Sequence, residues 1–122
     1  MTLQNALLVA TIACIAANAF IAVADYAKAE FVVKNSGEVH LPASTLPYLA
    51  TAKLAGALGL VVGATVIPWL GVAAGAGLIL FFVGAVIAHL RARVLYKIAF
   101  PGLFLLLAVA ATAYMIDLAT GS

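Results

Sequence analysis

TLPYLATAKLAGALGLVVGATVIPWLGVAAGAGLILFFVGAVIAHLRAR, residues 45–93, decides the fold. Its two apolar runs, 47–67 and 70–90, are each about 20 residues long, the length a helix needs to cross a hydrocarbon layer of roughly 30 Å. Only Pro68-Trp69 separates them. Two such helices joined so tightly must form an antiparallel hairpin, with Trp69 at one membrane interface and Arg91 and Arg93 at the other. Working outward, residues 3–24 and 98–119 are equally long, apolar and almost uncharged. Four spans give an all-α, up-down-up-down integral membrane four-helix bundle, a single transmembrane domain over 1–122, with 27–46 as its longest connector.

The distribution of charge supports that reading and orients it. Lys28 and Lys34 fall in the first connector, Lys53 just inside the second span, and Arg91, Arg93 and Lys97 in the third connector; the 68–69 turn and both chain ends carry none. Such a bias predicts that connectors one and three are cytoplasmic and both termini outside. Hydrophobic residues make up 67% of the chain and charged residues 8%, too little polar surface for a soluble globule. The longest polar run, about 27–46, is too short to build its own core, so we expect no soluble catalytic head. The net charge of +2 is small and concentrated at one face, which suits an anionic lipid surface and gives no indication of nucleic-acid binding. MTLQNALL lacks a basic n-region and reads as the start of a retained first helix.

Within the first connector, AKAEFVVKNSGEVHLPASTLP mixes charge, Asn-Ser-Gly and two prolines around an apolar FVV. We expect an interfacial or partly re-entrant segment there, followed by Ser44 or Thr45 capping the second span and Pro47 in its first turn. Pro101 fits the first turn of the fourth span. Ala52, Gly56, Gly59 and Gly63 form a small-residue ridge on the second span, and Gly71, Gly75 and Gly84, Ala88 repeat the i, i+4 spacing on the third. Such ridges allow close helix packing, within the chain or across a homo-oligomer seam. Leucine at Gly59 or Gly63 should therefore separate the helices, and alanine should be mild.

Polar residues inside the spans are the candidates for function. Thr11, Cys14, Asn18 and Asp25 share one face of the first span and should point inward. Asn18 lies near mid-membrane, where it can bond a neighbouring helix or the carbonyl of a lipophilic ligand. Asp25, Glu38, His40, Lys53, His89 and Arg91 gather at the basic end. Lys53, about 9 Å into its helix, can snorkel or pair with Asp25 or Glu38. His40 and His89 can relay protons or meet a headgroup. A lone cysteine, Cys14, allows no intrachain disulfide, CxxC pair or cysteine zinc site, and two histidines without CxxCH or an acidic partner argue against haem and metal.

The stretches KNSGEVHLPASTLPYLATAKLAGALGL (34–60) and FFVGAVIAHLRAR (81–93) resemble the DoxX-like family of small bacterial four-helix membrane proteins, through K-x-x-G-A at Lys53–Ala57 and GA-V-x-A-H-L at Gly84–Leu90. The resemblance implies a multi-pass protein of the bacterial plasma membrane, linked to membrane redox or thiol-stress assemblies, with quinone as the implied cofactor. It places Glu38, His40, Lys53, His89 and Arg91 on the family pattern. The leading expectation is a redox-linked accessory that binds a quinone-like or other lipophilic molecule at its cytoplasmic end and works with a soluble redox protein. One alternative is a membrane-embedded isomerase or cyclase using acid/base groups; another is a structural or assembly subunit, which predicts a closed bundle without a pocket. Thiol exchange would need a second sulfur from outside the chain.

Overall fold

A computed structural model describes residues 2–121. Four of its helices are long and apolar enough to cross a membrane: α1 (Leu3–Tyr26), α3 (Leu46–Thr65), α4 (Pro68–Arg91) and α5 (Ala99–Thr120). A shorter helix, α2 (Glu30–Glu38), lies in the first connector. Each spanning helix packs on its chain neighbour and α1 closes the ring against α5, so the protein is a multi-pass membrane bundle. Large apolar side chains such as Phe20, Val23, Leu80 and Leu106 stay on its outer surface, where lipid replaces water as their neighbour.

α1 begins at Thr2, whose hydroxyl accepts the Asn5 amide at 3.1 Å. Its polar face is its buried face: Thr11, Cys14, Asn18 and Asp25 are all at most 1% exposed. Three of the helices at the basic end stop in the same unusual way. Lys28, His40 and Arg93 follow α1, α2 and α4 in left-handed backbone, with φ of 51°, 67° and 58°. In each case the next residue donates back across the helix end, Ala29 to Ala24, Leu41 to Ser36 and Val94 to His89, at 2.8–2.9 Å. These are Schellman caps with a basic residue where glycine is usual. The left-handed backbone costs on the order of 1 kcal/mol per residue, and at Lys28 and Arg93 a cation beside the negative end of the helix dipole offsets part of it.

The first connector is helical over Glu30–Glu38. Val32 is buried against Ala24 and Leu46, and the polar side of α2 turns toward the connector between α4 and α5. Two local expectations fail. Thr45 stands at the N-cap of α3 but makes no side-chain cap; its hydroxyl donates back to the Pro42 carbonyl at 2.7 Å, within a 3-10 turn over Ala43–Thr45. The hairpin turn is not Pro68-Trp69. Val66 and Ile67 make the bend, and Pro68 starts α4, where its missing N–H costs nothing.

α3 and α4 approach most closely near that turn and diverge from it. A Cβ on Gly63 would strike the Cα and N of Gly71, one on Gly59 would meet the Ala74 Cβ at 2.5 Å, and one on Gly56 would meet the Leu78 side chain. One turn further toward the basic end, Lys53 faces the Phe81 ring at 5.5 Å. The facing pairs thus grow from Gly·Gly to Lys·Phe, and the helices splay. The ridge at Gly56, Gly59 and Gly63 packs within the chain, and Ala52 lies outside it, exposed. Alanine at Gly63 or Gly59 is consequently not mild, because even a methyl group lacks room. Gly75 packs on Thr112 of α5, whereas Gly84 has nothing within 4 Å of a built Cβ. Gly84 is therefore no packing contact; with Ala88 it lines the cavity described below.

Candidate functional site

The splay leaves a cavity of about 740 Å³ at the basic end, lined by all five helices and the connector before α5. Its walls are mainly apolar. Ile21, Val32, Val39 and Leu49 contribute aliphatic surface, and Phe81, Phe82 and Phe100 contribute rings. The aromatic side chains form a continuous ladder through Phe104, with successive centroids 5.0–5.2 Å apart, which stiffens the wall between α4 and α5. α2 supplies one side of the cavity through Val32, Asn35, Ser36 and Val39.

Asp25 and Lys53 are brought together inside this apolar surround. Lys53 Nζ donates to Asp25 Oδ2 at 2.8 Å, with the two side chains 11% and 2% exposed, and both residues line the cavity. Of the two partners open to Lys53 on sequence grounds, Asp25 takes it because their helices pack side by side. Glu38 pairs instead with Lys97, at 2.8 Å, and accepts the Tyr96 hydroxyl at 2.6 Å. Lys97 also donates to Asn35 at 2.9 Å. These contacts tie α2 to the α4–α5 connector over the cavity mouth. The Lys97 hydrogen bond, and then that of Tyr96, lowers the Glu38 pKa, and Glu38 in turn raises that of Tyr96. A lowered carboxylate pKa stabilises the tie above the ordinary Glu range, and that contribution fades as pH falls through the lowered value.

His89 lines the cavity and its Nδ1 donates to the Ala85 carbonyl at 2.8 Å, since a carbonyl can only accept. In the neutral ring this bond fixes the proton on Nδ1 and leaves Nε2 as an acceptor. The remaining candidates lie apart. His40 is exposed at its cap position, and Arg91 is exposed at the end of α4; neither lines the cavity. Asn18 sits two turns deeper than Asp25 and is fully buried. Its Nδ2 donates to the Cys14 carbonyl at 2.9 Å, while Oδ1 has no partner among the described residues. Cys14 is free and sealed. Among the described residues no group of three His, Cys, Asp or Glu could hold a metal ion.

Sequence reasoning missed Phe81, Phe82 and Phe100 as a wall, and Asn35, Tyr96 and Lys97 as the tie. The aromatic residues sit in apolar runs that look alike whether they face lipid or a cavity. Tyr96-Lys97 was more legible, as a polar pair in a short connector opposite Glu38.

A model of the DoxX-like family matches residues 9–111, a range that takes in the cavity-lining residues of every element. No curated protein and no solved structure matches the chain.

Proposed function

We propose, for a chain that belongs to the DoxX-like family, a redox-linked accessory role: its cavity holds a lipophilic molecule with a polar, quinone-like headgroup and presents it to a soluble redox partner. The observation that carries this reading is a large, mainly apolar cavity with aromatic walls, whose polar lining is a buried ion pair and His89 together with Asn35, Ser36, Tyr96 and Lys97. Ligand sites in helical bundles have this composition, with extensive apolar surface and a few polar groups that set orientation. An isomerase or cyclase is supported less well. Of the acid/base candidates, Asp25 and His89 share the cavity, but Asp25 is committed to Lys53 and His40 lies elsewhere. A short-tailed benzoquinone titrated into the detergent-solubilised protein should raise its unfolding temperature progressively and saturably. No shift up to millimolar quinone would contradict the assignment.

The orientation we propose places the cavity mouth in the cytoplasm of a bacterial cell, since Lys28, Lys34, Arg91, Arg93 and Lys97 all lie at that end. Cysteine labelling tests it cleanly, because the native Cys14 is sealed. A Val66→Cys variant, in the turn at the opposite end, should react with a membrane-impermeant maleimide in intact cells, and Lys34→Cys only after lysis. The reverse pattern would invert the topology.

A further inference from the structure

We propose that α2 is a hinged lid on the cavity, held shut by the bonds of Glu38 to Lys97 and Tyr96, and that a lipophile enters and leaves when those bonds break. The lid regulates the ligand site proposed above and rests on that reading for its purpose. α2 turns one face to the cavity: Val32, Asn35, Ser36 and the C-cap residue Val39 stand at i, i+3, i+4 and i+7, and all four line it. Phe31 and Val33, on the other sides of the helix, are exposed. α2 has nine residues, whereas the other helical walls of the cavity are spanning segments of 20 to 24 residues. It is the wall that can move with the least loss of packing.

Both ends of α2 are already turns. Lys28 and His40 stand in left-handed backbone just before and just after it, so a swing of the helix needs new dihedrals at a few non-helical residues only. Its buried apolar contact, Val32 on Ala24 and Leu46, lies in its N-terminal half and is made with α1 and α3. Across the mouth, its C-terminal half is joined to the connector before α5 by side-chain hydrogen bonds. Glu38 accepts from Lys97 and Tyr96, and Asn35 accepts from Lys97. The Glu38 and Lys97 side chains are 22% and 30% exposed, so water competes for these bonds as it cannot for the deeper Asp25–Lys53 pair. Ion pairs this wet are weak, and a segment held by few buried contacts opens well before the bundle unfolds. The joint across the mouth is therefore the place where the cavity opens.

Glu38→Ala removes two of these bonds and leaves the cavity wall as it is, since Glu38 does not line it. An Ala88→Cys substitution, inside the cavity, reports opening, and the native Cys14, sealed in the core, reports general loosening. In the detergent-solubilised full chain, Glu38→Ala should speed the reaction of Ala88→Cys with a water-soluble maleimide about five- to tenfold and leave Cys14 unreacted. The exchanged pair Glu38→Lys/Lys97→Glu should bring the rate most of the way back. Dissociation of a decyl benzoquinone should quicken in Glu38→Ala by a similar factor. A labelling rate equal to that of Ala88→Cys alone, or reaction of Cys14 at the same raised rate, would overturn the lid. Faster labelling with no quinone bound by any variant would keep the lid and remove the ligand, whereas quinone binding with unchanged labelling and exchange would do the reverse. If Glu38→Ala does not fold, Tyr96→Phe, which removes one bond and keeps the ring, should speed labelling about two- to threefold, and no increase there would overturn the lid.

Discussion

Lys53→Met is expected to cost about 3–5 kcal/mol of stability, among the largest effects of any side-chain truncation in this protein. The substitution keeps the apolar stem and removes the ammonium, so Asp25, 1% exposed, is left charged among apolar neighbours. The double variant Asp25→Leu/Lys53→Met should recover most of the loss, because removing both charges also removes the penalty of taking them out of water into the apolar interior. Thermal unfolding in one detergent, on the single and double variants together, measures the coupling. An unfolding temperature for Lys53→Met equal to that of the unaltered protein would mean the pair is solvated and the inner end of the bundle is wet.

Gly63→Leu should be as damaging for a different reason. The two helices meet there backbone to backbone, with the Cα and N of Gly71 in the path of any Cβ and the Met115 sulfur 3.2 Å from it. A rigid backbone cannot yield as a flexible side chain can, so the hairpin must open, at a cost of about 3 kcal/mol or more. Gly63→Ala should already cost about 1–3 kcal/mol. Gly77→Leu provides the internal control, since nothing lies within 4 Å of its built Cβ, and it should change stability little. Equal unfolding temperatures for Gly63→Leu and Gly77→Leu would show that α3 and α4 do not cross at Gly63. Because the same crossing sets the splay at the other end, a folded Gly63→Leu should also alter the cavity.

The spans were legible because crossing a membrane leaves a signature in length and charge that needs no knowledge of packing. What lies inside was less so. In a soluble helix the apolar stripe points to the core, but lipid is as apolar as the core, and Phe82 and Leu80 look alike in sequence although one is 3% and the other 74% exposed. Only the polar residues broke that symmetry. Thr11, Cys14, Asn18 and Asp25 marked the buried face of α1, and Lys53 marked that of α3. α2 was hidden because Asn-Ser-Gly reads as a turn, whereas here the same residues lie inside a helix that continues to Glu38 and is stopped by His40 without a glycine. The turn was displaced by two residues for a related reason: proline both ends helices and starts them, and at Pro68 it starts one. His89 was recognised as a candidate, but its fixed proton depends on a bond to Ala85 one turn back that any helical histidine could form or decline.

The central claim is that the splayed end of the bundle is a ligand cavity, and filling it is the direct test. Gly84 lines the cavity and a Cβ built on it meets nothing within 4 Å, so Gly84→Phe should enter the space without forcing the helices apart at that position. Native mass spectrometry of the protein drawn gently from its membrane should show a bound lipophile of defined mass on the unaltered chain and its loss from a Gly84→Phe variant of equal thermal stability. The same bound mass, at the same occupancy, on both proteins would contradict the account.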